Sequence, residues 1–215
     1  MKPFFTSGGP RVKICGITNP DDAKATCDAG ADALGFNLFT GSRRHVSLNA
    51  LEPWINELPA DVARVAVVVN ASADDLRVIH EKGIFDAIQF HGDETPDFCN
   101  HEGGPLWIRA IRVDTAAAFE RALEYKSKYV LFDGFTQGDY GGTGVSPDWH
   151  TIAGFAMAHP KHFTILAGGL TPDNVAEAVQ IVSPQAVDVA SGVEKSPGIK
   201  DPAKVARFIR EAKGI

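Results

Sequence analysis

The feature that most constrains this chain is an alternation. Short apolar, β-branched runs stand at 11–15, 32–37, 64–70, 86–91, 106–111, 129–133, 163–167 and 187–191. Amphipathic segments follow them at 20–29, 48–57, 73–83, 95–102, 115–125, 146–158, 172–182 and 201–213. The runs read as strands and the segments between them as helices. Parallel neighbours need a crossover of about a dozen residues or more, which a helix supplies, so the pattern favours βα units. Eight such units in 215 residues predict an α/β fold, a single-domain (β/α)8 TIM barrel. A doubly wound open sheet needs no count of eight. Its first turn often carries GxGxxG, and none follows Ile14. No linker or low-complexity stretch divides the chain. Residues 1–10 are expected to be a frayed leader and 11–215 the barrel.

Helix starts carry their own signals. Thr18 or Asn19 caps a first helix that Pro20 opens, with Asp21 and Asp22 at its positive end. Ser146-Pro147-Asp148 and Thr171-Pro172-Asp173 repeat that chemistry, and Ser72 to Asp75 resembles a capping box. Gly30 and Gly83 stand where helices end.

Composition narrows the function classes. A formal charge of −6 argues against general nucleic-acid binding and against docking on anionic membranes. No apolar run approaches the ~20 residues that span a bilayer. Three sparse cysteines, Cys15, Cys27 and Cys99, read as reduced thiols of a cytoplasmic protein. The seven histidines lack metal-ligand spacing, so no metal is expected.

In a barrel of this kind the chemistry sits at the C-terminal ends of the strands. Read in order, those ends are Cys15-Gly16, Asn37, Asn70, His91-Gly92, Arg112, Asp133-Gly134, Gly168-Gly169 and Ser191-Gly192. The glycine tips of strands seven and eight let backbone N–H groups approach a ligand, so Gly168, Gly169, Ser191 and Gly192 are candidate phosphate binders. Gly142, Thr143 and Gly144 fall in a glycine-rich loop that could close over a ligand.

Asp133 ends an apolar strand, where desolvation raises a carboxyl's pKa toward that of a general acid; a backbone-bound carboxylate is the equal alternative. Cys15 shares its strand face with Lys13 by period-two parity. A neighbouring cation or helix N-terminus favours a thiolate, while a buried structural cysteine is the plain alternative. Arg44 lies in the loop after strand two and could pair with a substrate carboxylate. Lys13, Gln89 and His91 are candidate wall residues, with proton transfer an equal alternative for His91.

These motifs together resemble the phosphoribosylanthranilate isomerase family of tryptophan biosynthesis. The matching stretches are KICGIT (13–18), GADALGFNLF (30–39), SRRHVS (42–47), QFHGDE (89–94), LFD (131–133), GGTG (141–144), LAGGLTPDNV (166–175) and VDVASGVEKSPGIKD (187–201). The resemblance implies a cofactor-free barrel, monomeric or homodimeric, acting on the small molecule phosphoribosylanthranilate by an Amadori rearrangement. It implies Cys15 as general base, Asp133 as general acid, Arg44 on the anthranilate carboxylate and Asp188 on substrate hydroxyls. Two other readings are an enzyme like the histidine-pathway aminoaldose isomerase, which uses two aspartates, and a non-catalytic phosphate-binding barrel.

Overall fold

The computed structural model describes residues 1–6, 8–134 and 147–215. Eight parallel strands close a barrel in chain order: β1 (Arg11–Cys15), β2 (Ala33–Asn37), β3 (Ala63–Val68), β4 (Ala87–Phe90), β5 (Trp107–Val113), β6 (Tyr129–Gly134), β7 (Phe163–Leu166) and β8 (Ala186–Val189). β8 pairs back onto β1, with Lys13 opposite Asp188. The helices between and after them are α1 (Pro20–Asp28), α2 (Leu48–Leu51), α3 (Ala73–Lys82), α4 (Pro96–Glu102), α5 (Ala117–Leu123), α6 (Trp149–Ala158), α7 (Val175–Val182) and α8 (Pro202–Lys213). No helix among the described residues is long and apolar enough to cross a membrane.

Strand parity sorts the core into layers. Val12, Ile14, Leu34, Phe36, Val130 and Phe132 face outward and pack under the helices. Their neighbours in sequence, such as Ala33, Ala63, Leu131 and Ile165, fill the barrel interior. The same alternation turns Lys13 and Cys15, or Leu131 and Asp133, to one side of the sheet.

Capping follows the expected chemistry at several ends. Asn19 accepts from the Asp22 N–H at 2.8 Å, and Ser72 and Asp75 form a reciprocal capping box. Asp148 accepts from the His150 N–H at 3.0 Å. Gly83 closes α3 in the left-handed region at φ +61°.

Elsewhere the structure departs from the sequence pattern. The helix expected over 48–57 is a single α turn, Leu48–Leu51, followed by a 3-10 turn at Ile55–Glu57. Pro53, between them, has no N–H to continue the helix. Thr171-Pro172-Asp173 does not open α7: Asn174 Oδ1 takes the Thr171 N–H at 2.8 Å, folding these residues into a turn, and the helix starts at Val175. Strand eight stops at Val189, and Ser191–Val193 form a 3-10 turn. Beyond it, β9 (Glu194–Ser196) and β10 (Ile199–Lys200) make a small antiparallel hairpin that the apolar pattern did not announce.

The frayed leader also needs correction. Pro3–Phe5 form a 3-10 turn, and Phe4 and Phe5 are fully buried at the N-terminal end of the barrel. Small residues there, Ala33, Ala63, Ala87 and Ala186, leave room for the two rings. Phe5 meets Tyr129 edge-on at 5.2 Å, and Phe4 lies 6.3 Å from Phe163.

Candidate active site

The opposite, C-terminal end of the barrel gathers buried polar groups. Lys13, fully buried, donates to Asp188 Oδ1 at 2.7 Å, tying β1 to β8. Cys15 stands one residue pair further along, a partly exposed free thiol. Gly35 of β2 makes space for both. A Cβ there would lie 2.7 Å from Cys15 Sγ and 2.9 Å from Lys13 Nζ, closer than such contacts allow. The Lys13 ammonium is strengthened by Asp188 and by the thiol despite its burial. Burial pushes the Cys15 thiol up. The Lys13 and Lys200 ammoniums pull it down, and the Asp188 carboxylate adds to the rise. Both influences weighed from the sequence, a neighbouring cation and burial, act on this thiol, and burial is the larger.

Asp133 is buried at the tip of β6. His91 Nε2 stands 3.3 Å from its Oδ2, off the axis of a good hydrogen bond. The Gln89 side-chain amide, itself fully buried, reaches His91 Nδ1 at 3.1 Å. With that amide donating to Nδ1, the ring proton sits on Nε2 and faces Asp133. The loop carrying His91 is pinned from outside. Glu94 accepts from the Asn70 N–H at 2.7 Å, the Gly92 N–H at 3.0 Å and Arg109 Nη1 at 2.8 Å. Arg109 also donates to the Gly92 carbonyl and lies 4.7 Å from the Tyr125 ring centre.

The glycine tips have the geometry of an anion cradle. Gly168 and Gly169 take φ of +84° and +63°, conformations that other residues adopt only with strain. A Cβ on Gly168 would strike the Gly134 backbone and stand 2.9 Å from Asp133 Oδ1, and one on Gly192 would strike the Leu170 carbonyl. Asn174 Nδ2 donates to the Gly169 carbonyl at 3.0 Å, while the Gly168 and Gly169 N–H groups donate to nothing among the described residues. Gly168 and Gly169 share one cavity with Asp133, Asp188 and Ser191. Cys15 does not line it; Lys13, on the same face of β1, is bonded to Asp188, which does.

Arg44 is not an open loop arginine. Its Nε and Nη2 fork onto Glu194, with contacts of 2.9, 3.1 and 2.7 Å. Only Nη1 is left without a partner among the described residues. The Arg44 side chain lies across Gly16, which takes φ +77° and whose missing Cβ leaves room for it. Glu194 also accepts from Lys200 Nζ at 2.9 Å and from the Gly198 N–H at 3.2 Å. These cations hold its carboxyl below the usual range despite burial. Lys200 reaches on to the Cys15 carbonyl at 2.6 Å and the Ala190 carbonyl at 3.3 Å. Gly142, Thr143 and Gly144 lie outside the described residues. No cluster of metal-binding side chains is found among those described.

Glu94, Arg109, Glu194, Lys200 and Gly35 were not singled out in the sequence. Glu94 and Glu194 sit inside the stretches QFHGDE and VDVASGVEKSPGIKD, and that was their only signal. Gly35 carried a readable one, since it lies on β2 beside the strand bearing Cys15.

Comparison with known proteins agrees with the barrel fold. Residues 12–211 match the family model for N-(5'-phosphoribosyl)anthranilate (PRA) isomerase. The chain is 47% identical over 205 residues to the N-(5'-phosphoribosyl)anthranilate isomerase of Thiobacillus denitrificans, covering 94% of this chain and 98% of that protein. It is 44% identical over 203 residues to the enzyme of Trichlorobacter lovleyi, covering 94% and 98%. The crystal structure of phosphoribosyl anthranilate isomerase from Thermotoga maritima superposes with a TM-score of 0.87 at 37% identity, over 96% of this chain and 100% of that one. Another such isomerase, solved in complex with reduced 1-(o-carboxyphenylamino)-1-deoxyribulose 5-phosphate, superposes with a TM-score of 0.83 at 36% identity, over 96% and 100%.

Proposed function

The chain belongs to the N-(5'-phosphoribosyl)anthranilate isomerase family, and we propose that Cys15 and Asp133 perform its reaction as general base and general acid. The enzyme converts N-(5'-phosphoribosyl)anthranilate into 1-(2-carboxyphenylamino)-1-deoxyribulose 5-phosphate in tryptophan biosynthesis. Asp133 gives its proton to the furanose ring oxygen as the C1'–O bond breaks and the anthranilate nitrogen forms a Schiff base. Cys15 then takes the C2' proton, and the electron pair flows into an enolamine that tautomerises to the ketone. No bond forms between sulfur and carbon. The observation that supports this division is spatial: Asp133 lines the glycine-tipped cavity, while Cys15 stands on β1 beside Lys13, whose ammonium is bonded to Asp188 of that cavity.

The phosphate is assigned to the N–H groups of Gly168 and Gly169, which are unpaired among the described residues, with Ser191 and Gly192 completing the cradle. Oriented N–H donors with no protein partner are what an oxyanion needs. Arg44 offers the anthranilate carboxylate one N–H, at Nη1, rather than a bidentate fork. Asp188 keeps Oδ2 for a substrate hydroxyl, and Gln89 and His91 support Asp133. No cofactor enters this scheme. The barrel of residues 11–215 acts as one domain together with Phe4 and Phe5, which pack into it, and three free thiols fit a cytoplasmic setting.

The decay of phosphoribosylanthranilate fluorescence tests the assignment. Cys15→Ser and Asp133→Asn should each lower turnover by about 10²–10⁴-fold with the thermal midpoint unchanged. Near-normal turnover in either variant overturns the role given to that residue.

A further inference from the structure

The Cys15 thiol has to ionise before it can act as a base, and burial opposes that. We propose that Lys13 is a positioning residue for the catalytic thiol: its buried ammonium, anchored on Asp188, stands beside Cys15 Sγ and holds the sulfur as the thiolate that takes the substrate proton. This rests on reading Cys15 as the base. The geometry singles Lys13 out. Lys13 and Cys15 project from the same strand face, and the bare Cα of Gly35 lets Nζ and Sγ crowd over one point. Lys13 is wholly buried, so its charge acts through a medium that screens it little.

Other charges reach the sulfur from neighbouring elements. Lys200 comes from β10, but its ammonium is spent on the Cys15 and Ala190 carbonyls and on Glu194. Arg44, from the loop after β2, is matched by Glu194. Asp188, from β8, opposes ionisation and at the same time fixes Lys13. β2 contributes Gly35 and no charge. Among the described residues this leaves Lys13 as the cation with the largest pull on the thiol. Ionisation sends one proton from Sγ to solvent, and the thiolate then receives one proton from carbon. Lys13 stays an ammonium throughout.

The test reads the thiol directly. Alkylation of Cys15 by iodoacetamide is followed against pH, with peptide-resolved mass spectrometry. Burial also holds up the Cys27 and Cys99 thiols, and their alkylation is distinguished from that of Cys15 by peptide. Lys13→Met should move the Cys15 midpoint up by about 1–3 pH units. Asp188→Asn should move it down. The double variant, which leaves no unpaired buried carboxylate, should still titrate above wild type, and it serves where the single lysine variant fails to fold. Wild-type midpoints in Lys13→Met and in the double variant overturn the proposal. The rising limb of kcat/KM against pH is measured alongside. A thiol midpoint that shifts without this limb upholds the control by Lys13 and instead overturns the reading of Cys15 as base.

Discussion

The two ends of this barrel are built from the same strands and hold together by different physics. At the N-terminal end, Ala33, Ala63, Ala87 and Ala186 leave a space that Phe4, Phe5, Tyr129 and Phe163 fill with rings. At the C-terminal end, Lys13, Gln89, Asp133 and Asp188 are as deeply enclosed, yet all are polar or charged. Apolar burial is non-directional and rewards volume. A buried charge is tolerated only when a partner meets it in good geometry. The first end should therefore accept any filling of the right size. The second is defined pair by pair: Lys13 to Asp188, Arg44 and Lys200 to Glu194, Arg109 to Glu94.

The sharpest break in this comparison comes from emptying the ring layer. Phe4→Ala combined with Phe5→Ala should cost roughly 3–5 kcal/mol for each ring, a large part of a typical domain's stability. Urea unfolding measures the loss, and kcat of the fraction that stays folded should be unchanged. A fall in kcat without a fall in stability would mean that the two ends are coupled.

Glu194→Gln is the counterpart at the other end. It leaves the buried Arg44 and Lys200 facing a neutral amide, and breaking such a pair costs about 3–5 kcal/mol. Unlike the phenylalanine change, it should also raise KM, because Arg44 loses the fork that aims Nη1. The pH dependence has a fixed sign. The folded carboxyl lies below its unfolded value, so its contribution is present above the usual carboxylate range and disappears as pH falls through the folded value. Thermal midpoints taken from neutral to acid pH should thus decline less steeply in the variant than in wild type.

The same contrast explains what could be read from sequence. Strand runs such as Val12-Lys13-Ile14-Cys15 were legible because outward packing under helices demands an apolar residue at every second position. The place of Cys15, Asp133 and the glycine tips at the C-terminal end of the barrel was legible because it follows from where the strands end. Phe4 and Phe5 escaped because a two-residue plug has no period. The β9–β10 hairpin escaped because Glu194 and Lys200 are buried for their charge and not for their apolar surface. Arg44 was placed correctly in its loop, but its attachment to Glu194 spans 150 residues, and a single sequence carries no signal for that pairing.

A subtler perturbation adds volume where the polar end has none to spare. Gly35→Ala would press a methyl group between Cys15 Sγ and Lys13 Nζ. Overpacking of this kind costs about 1–3 kcal/mol. Urea unfolding should show that modest loss, while the fluorescence assay should show a disproportionate drop in turnover, because the displaced atoms are the thiol and its cation. Stability and turnover falling in proportion would show that the spacing of the two groups does not matter.

The smallest expected effect lies outside both ends and serves as their reference. His162, after α6, packs 5.6 Å from the Phe155 ring centre, and its Nδ1 is buried without a partner among the described residues. Burial, and then the neighbouring His159, hold its imidazole below the usual histidine value. As pH falls through that range the unfolded chain takes up a proton that the folded chain refuses, so stability should fall with it. The ring is only partly enclosed, which keeps the slope shallow. His162→Leu should flatten the thermal midpoint between about pH 8 and pH 5.5 relative to wild type, a window around the ordinary histidine pKa. It should leave turnover untouched at every pH, because no charge of the catalytic end depends on it. An unchanged slope would move the acid sensitivity of this fold away from His162 and toward the buried pairs of the catalytic end.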